Sequence, residues 1–137
     1  MPRFVDSRTR VRYQETDQMG IVHHANYVVW FEIGRTDLCR VAGFPYKEIE
    51  KRGLILVVTE VNCSYRAPYY YDDEVLIRTA ISEAASRAMT FNYELRDATG
   101  ERLHATGYSK HVWVDRETRR PTMADAEVMK AFEPFLV

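Results

Sequence analysis

A helical stretch that is apolar almost all round, followed by four long runs of strict alternation, leaves few folds open to this chain. From about Ala25 to Ala42 the spacing is helical, and its first half carries Tyr27, Val28, Val29, Trp30, Phe31 and Ile33. A helix of that kind is expected to be buried. Its second half is amphipathic, with Arg35, Asp37 and Arg40, and Gly43 followed by Pro45 ends it. At a rise of 1.5 Å per residue it is about 27 Å long. The first alternating run places Ile55, Val57, Thr59, Val61, Cys63 and Tyr65 on one face and Glu60, Asn62, Ser64 and Arg66 on the other. In the second, Val75, Ile77, Thr79 and Ile81 oppose Glu74 and Arg78; in the third, Met89, Phe91, Tyr93 and Leu95 oppose Asn92, Glu94 and Arg96. The fourth runs from about Arg102 to Val114, and Asp97-Ala-Thr-Gly100 before it is a hairpin signal. Residues 8–13 add a strand, with Arg8, Arg10 and Arg12 alternating against Thr9, Val11 and Tyr13.

One wet and one dry face per strand means a sheet that covers something on one side. Strands of twelve residues span about 40 Å and must curve to wrap a helix of this length. The expected architecture is α+β: a five-stranded, curved antiparallel sheet around a long central helix, as one domain over residues 1–137. Thr122 with Asp125 is expected to cap a last short helix carrying Val128, Met129 and Phe132.

Composition narrows the function by exclusion. A net charge of −1 gives no general pull toward nucleic acid or membrane. Neither a signal peptide nor an apolar run long enough to span a bilayer is visible, so a cytoplasmic protein without membrane insertion is expected. Cys39 and Cys63 have no metal-type spacing and read as buried thiols. There is no Gly-rich phosphate loop, no Gly-x-Ser-x-Gly elbow and no zinc spacing.

What remains is a carboxylate beside a helix start. Asp17 lies in a loop from Glu15 to Gly20, where Gly20 permits an unusual backbone angle. The helix begins a few residues later, and a helix start presents unpaired N–H groups and a partial positive charge. Amides near His24 and Ala25 are expected to point at a substrate carbonyl oxygen. A base and an oxyanion site in one place suit hydrolysis of an activated acyl group. Asp17 could act as general base or as nucleophile, or could merely cap its own turn. His24 could orient Asp17, hold water or contact substrate, or be a satisfied ring. The pair His23–His24 is not a metal site by itself. Tyr13 could position the carboxylate or be a core tyrosine. Glu32 and Arg35 are spaced to pair along one helix face, which is favoured over catalysis. Tyr69-Tyr70-Tyr71 is favoured as packing over an acyl channel. Arg116, Arg119 and Arg120 form a basic turn, favoured as solvated surface.

The pattern Tyr13-x-Glu15-Thr16-Asp17-x-x-Gly20-x-Val22-x-His24-x-x-Tyr27, followed by Trp30-Phe31-Glu32 and Arg35-Thr36, closely resembles the 4-hydroxybenzoyl-CoA thioesterase family of the hotdog fold. Its nearest branch resembles the bacterial acyl-CoA thioesterases associated with the Tol–Pal gene cluster. The resemblance implies a homodimer, commonly paired into a homotetramer, with active sites at the dimer interface. It also implies acyl-CoA as substrate, hydrolysed to free acid and CoA with no metal or cofactor. The family's catalytic carboxylate falls on Asp17, its supporting tyrosine on Tyr13 and its histidine on His24. Gly20 and Ala25 fall at the substrate-binding loop and helix start, and Arg87 matches a position that approaches the nucleotide. The partner's 54–66 strand is expected to line part of the pocket. His23 departs from the branch, which usually carries an aromatic there, often tyrosine, and this bears on acyl preference. Two other functions stay open: a non-catalytic acyl-CoA-binding module, and a thioesterase for acyl carrier protein thioesters.

Overall fold

The computed structural model describes residues 3–137. Helix α1 (Ala25–Ala42) lies against one face of an antiparallel sheet made of β1 (Val5–Arg10), β2 (Leu54–Tyr65), β3 (Glu74–Ala84), β4 (Ala88–Arg96) and β5 (Leu103–Asp115). The spatial order is β1-β3-β4-β5-β2. Two glycines set how closely helix and sheet approach. A Cβ at Gly34 would collide with Thr79 Oγ1 and lie 2.8 Å from the Ile77 side chain. One at Gly107 would collide with the Asn62 carbonyl and lie 2.5 Å from the Phe31 ring. The Phe31 ring instead stacks on Tyr93 at 4.3 Å between centroids. Around this contact Trp30, Leu38, Ile77, Ile81, Phe91, Leu95 and Trp113 are buried in one core. The β3 and β4 alternations fall as the sequence predicts, with Val75, Ile77, Thr79 and Ile81 and then Met89, Phe91, Tyr93 and Leu95 turned inward. Gly43, at φ +95°, ends α1 with its N–H on the Arg40 and Cys39 carbonyls.

Five expectations change. The first strand is Val5–Arg10, and Tyr13–Glu15 is a 3₁₀ turn, so Tyr13 is not a strand residue. The first half of α1 is not buried all round: Val29 is 50% exposed, because the sheet has only one face to offer a helix. In β2 a bulge at Thr59 breaks the alternation. Leu56 and Val58 pair with the buried Trp113 and His111, whereas beyond the bulge Val61 and Tyr65 pair with the buried Ser109 and Ala105. Ile55 and Val57 therefore face away from Val61, Cys63 and Tyr65. A bulge inserts one residue and flips the parity that follows it. Cys39 is buried, but Cys63 is only half-buried, since β2 is an edge strand. Finally, α3 (Ala126–Phe132) is capped by Asp125 itself, which accepts from Val128 N–H at 3.0 Å, not by Thr122. A short helix, α2 (Tyr46–Lys51), bridges α1 and β2.

Candidate active site

The segment between β1 and α1 folds into a small closed loop. Thr16 and Val22 bridge its ends, the Asp17 N–H donates to the Ile21 carbonyl at 2.9 Å, and the Gly20 N–H donates to the Asp17 carbonyl at 3.0 Å. Gly20 closes this turn at φ +80°, a conformation that L side chains rarely adopt. The Asp17 Oδ1 accepts the Met19 N–H at 2.8 Å, so half of the carboxylate does cap its own turn. The other oxygen has no protein partner among the described residues.

This loop forms one wall of a cleft of about 390 Å³. Asp17, Met19, Ile21 and Val22 come from the loop, His24 and Tyr27 from the start of α1, and Tyr65, Arg66, Ala67 and Pro68 from the end of β2 and the turn beyond it. Asp17, His24 and Arg66 are the ionisable side chains of a lining that is otherwise apolar but for the Tyr27 and Tyr65 phenols. The Tyr65 hydroxyl donates to the His24 carbonyl at 2.9 Å and holds the wall to the helix start. Burial pushes the Tyr65 phenol up to about 12, so it remains a donor at neutral pH.

The helix start is not uniformly open. The His23 ring lies stacked on His24 at 4.3 Å, and its Nδ1 accepts the Ala25 N–H at 3.2 Å. The Asn26 N–H donates to the His23 carbonyl at 3.0 Å. The His24 N–H donates no hydrogen bond among the described residues. Of the two amides expected to face a carbonyl oxygen, Ala25's is therefore engaged and His24's is free.

The structure thus brings Asp17 and His24 together in the cleft and leaves Tyr13, Gly20, Ala25 and Arg87 out of its lining. Tyr13 is 79% exposed and packs edge-on against Tyr71 at 5.5 Å, outside the cleft. Gly20 shapes the loop without lining the cleft. Arg87 sits in the β3–β4 turn, where its carbonyl accepts the Trp113 N–H. Tyr65 pairs with Ala105, so along β5 Arg87 lies eight residues away, roughly 26 Å. Glu32 is exposed and pairs with Arg35 at 4.0 Å, as its spacing predicts. Sequence reasoning missed Arg66 and Tyr65 as cleft residues of the same chain. It also missed the burial of Glu15, whose carboxylate accepts the Arg12 N–H at 2.7 Å and the Trp30 indole N–H at 3.1 Å. Among the described residues no group of three or more His, Cys, Asp or Glu side chains is arranged to hold a metal ion.

Residues 11–132 match the thioesterase-like superfamily. The chain belongs to that family. With relatives of that family named as acyl-CoA thioesterases and thioester hydrolases, the chain is a hydrolase. The Bacillus subtilis protein YneP is 41% identical over 111 residues, 81% of this chain and 80% of its own. The Haemophilus influenzae acyl-CoA thioesterase YbgC is 32% identical over 124 residues, 90% of each chain. The solved structure of a DHNA-CoA thioesterase from Staphylococcus aureus superposes with a TM-score of 0.82 at 32% identity, over 88% of this chain and 80% of that one. The sheet, the helix across it and these neighbours together are those of an α+β hotdog fold.

Proposed function

We propose that this protein hydrolyses coenzyme A thioesters to free acid and CoA, with the chemistry in the cleft at the start of α1. The observation that carries the reading is that Asp17 and His24 line one largely apolar cleft at a helix N-terminus. Two routes fit. As general base, Asp17 takes a proton from water, the water oxygen bonds to the carbonyl carbon, and the C–S bond breaks, the thiolate recovering the proton from Asp17. As nucleophile, an Asp17 oxygen displaces the thiolate to give a mixed anhydride, which water then opens. In both, negative charge grows on the carbonyl oxygen, and on this reading the His24 N–H and the partial charge of the helix start stabilise it. Within the superfamily we assign the chain to the 4-hydroxybenzoyl-CoA thioesterase group and its Tol–Pal-associated branch, on the motif from Tyr13 to Thr36.

We further propose a homodimer joined along β2, paired into a tetramer. The strand is a twelve-residue edge with Val57, Val58 and Val61 exposed, which invites pairing by a second copy. Two such edges related by a twofold run antiparallel. The Tyr65 end of one subunit then meets the Leu54 end of the other, which is the end that carries Arg87. Arg87 of the partner subunit would thus approach a cleft that it cannot reach in its own chain, and Tyr13 stays a candidate only through such an assembly. Asp17→Asn decides the catalytic reading: thiol release from a panel of acyl-CoAs should fall at least about a hundredfold, the scale of a lost acid–base group. Undiminished release by that variant ends the assignment. Binding of acyl-CoA without thiol release by the wild type would favour the non-catalytic module instead. Turnover of acyl carrier protein thioesters alone would redirect the substrate.

A further inference from the structure

Glu15 stands out among the carboxylates. Its side chain is 4% exposed, yet no catalytic step above uses it. Burying a carboxylate is costly unless its lone pairs are filled. Here they are filled from both flanks of the Asp17 loop. Oε1 accepts the Arg12 N–H at 2.7 Å on the β1 side. Oε2 accepts the indole N–H of Trp30, in the second turn of α1, at 3.1 Å, with the Arg12 guanidinium at 3.4 Å. The backbone repeats the pattern: the Glu15 carbonyl accepts the His23 N–H at 2.8 Å and the Asn26 side-chain amide at 3.0 Å. One residue thus ties the 3₁₀ turn that follows β1, capped at Arg12, to the helix after the loop, two positions from Asp17. Helix α1 does not need this tie to stay on the sheet, because Phe31, Gly34 and Leu38 seat it independently. What the tie adds is the placement of the loop relative to the helix start.

We propose that Glu15 is a positioning residue: its buried carboxylate, clasped between Arg12 and Trp30, holds Asp17 in register with the N-terminus of α1. The proposal rests on the reading of Asp17 as base or nucleophile. Misplacing a reacting group by about 1 Å can cost on the order of a hundredfold. A glutamine at this position keeps the shape but offers one acceptor oxygen and an NH₂ where two acceptors are needed.

The test uses the full-length protein and thiol release from whichever of benzoyl-, butyryl- and decanoyl-CoA the wild type turns over fastest. Glu15→Gln should lower kcat by about 10- to 100-fold with KM within about threefold, since orientation of the attacking group fails while the cleft that binds substrate persists. Trp30→Phe, which removes the indole donor and shrinks a ring buried against Tyr27 and Tyr69, should lower kcat by about threefold or more. The double variant should be no slower than Glu15→Gln within about twofold, because both changes open one clasp. A folded Glu15→Gln with kcat near wild type, losses that multiply in the double variant, or KM rising in step with the fall in kcat overturns the proposal. If Glu15→Gln does not fold, Trp30→Phe decides: lower kcat at constant KM supports the clasp, and unchanged kcat overturns it. Asp17→Asn run in parallel separates the two claims. Its inactivity with a normal Glu15→Gln sinks only the clasp, while wild-type turnover by Asp17→Asn sinks the catalytic reading and the clasp with it.

Discussion

At the start of α1, His24 and Asp17 share a cleft open to solvent. Beneath the middle of the same helix a second histidine meets a hydroxyl: His111 Nε2 lies 2.8 Å from Ser109 Oγ, which lies 2.6 Å from the Tyr93 hydroxyl. In isolation the second group has the closer geometry of a nucleophile and its base. It is nonetheless sealed, with His111, Ser109 and Tyr93 each exposed by 1% or less and Phe91 set edge-on against the imidazole. Among the described residues the His111 Nδ1 has no partner, so none of them orients the ring from behind. The first group is loosely tied but reachable, and it has the carboxylate. The contrast separates two uses of polar side chains: inside the sheet Tyr93, Ser109 and His111 bond to one another out of reach of substrate, and at the helix end one carboxylate oxygen and one amide without partners among the described residues lie beside an open cleft.

The sharpest way to break that contrast is to delete one member from each side. Asp17→Asn is expected to cost at least about a hundredfold in kcat, and Ser109→Ala no more than about threefold. Steady-state thiol release reads both. A Ser109→Ala enzyme as impaired as Asp17→Asn would move the chemistry into the core.

Sealing has its own signature in pH. Burial, with the Arg35 charge nearby, pushes the His111 imidazole down to about 4 from an ordinary 6.5. Between those values the unfolded chain binds a proton that the folded protein refuses, so stability is present above about pH 6.5 and is lost as pH falls toward 4, levelling below it. The shift corresponds to on the order of 3 kcal/mol. Denaturant melts at pH 7 and pH 4.5 should show wild type losing about 2–3 kcal/mol more than His111→Gln over that interval. Equal losses in the two proteins would mean that His111 is not held neutral.

A smaller effect probes the helix seat that both regions share. Gly34→Ala adds a methyl group where Thr79 and Ile77 already press on the helix. It should cost about 1–3 kcal/mol in chemical denaturation. No loss would show that α1 can lift from the sheet without strain.

The legible part of the molecule was whatever depends on local period. Gly43 ended α1, the alternations of β3 and β4 chose the inward face correctly, and the motif placed Asp17 beside the helix start. The parts that stayed hidden depend on partners distant in sequence. Thr59 is an ordinary strand residue until its hydroxyl is seen to donate to the Lys110 carbonyl at the bulge. That β2 is an edge follows from the order of strands, which alternation does not encode. Tyr65 and Arg66 reach the cleft only because β2 ends beside a loop some forty residues earlier. Glu15 looks like a loop carboxylate unless its indole donor, on the next helix, is known. His23 could have been suspected, since a ring just before a helix can cap it as smaller polar side chains do.

The mildest test concerns how the cleft wall steadies the helix start. The Tyr65 hydroxyl donates to the His24 carbonyl, the same oxygen that takes the Tyr27 N–H at 3.3 Å, while its ring packs edge-on to Tyr27 at 4.8 Å. Tyr65→Phe keeps the ring and removes the donor. The bond is partly exposed, so its net worth is near the low end of about 0.5–1.5 kcal/mol. If it steadies the His24 amide, kcat should fall about two- to fivefold with KM nearly constant. If kcat is unchanged while the melting temperature drops, Tyr65 only packs the wall. The register of the helix start then rests on the opposite flank, where Glu15 takes the His23 N–H and the Asn26 amide, and the cleft is held from one side alone.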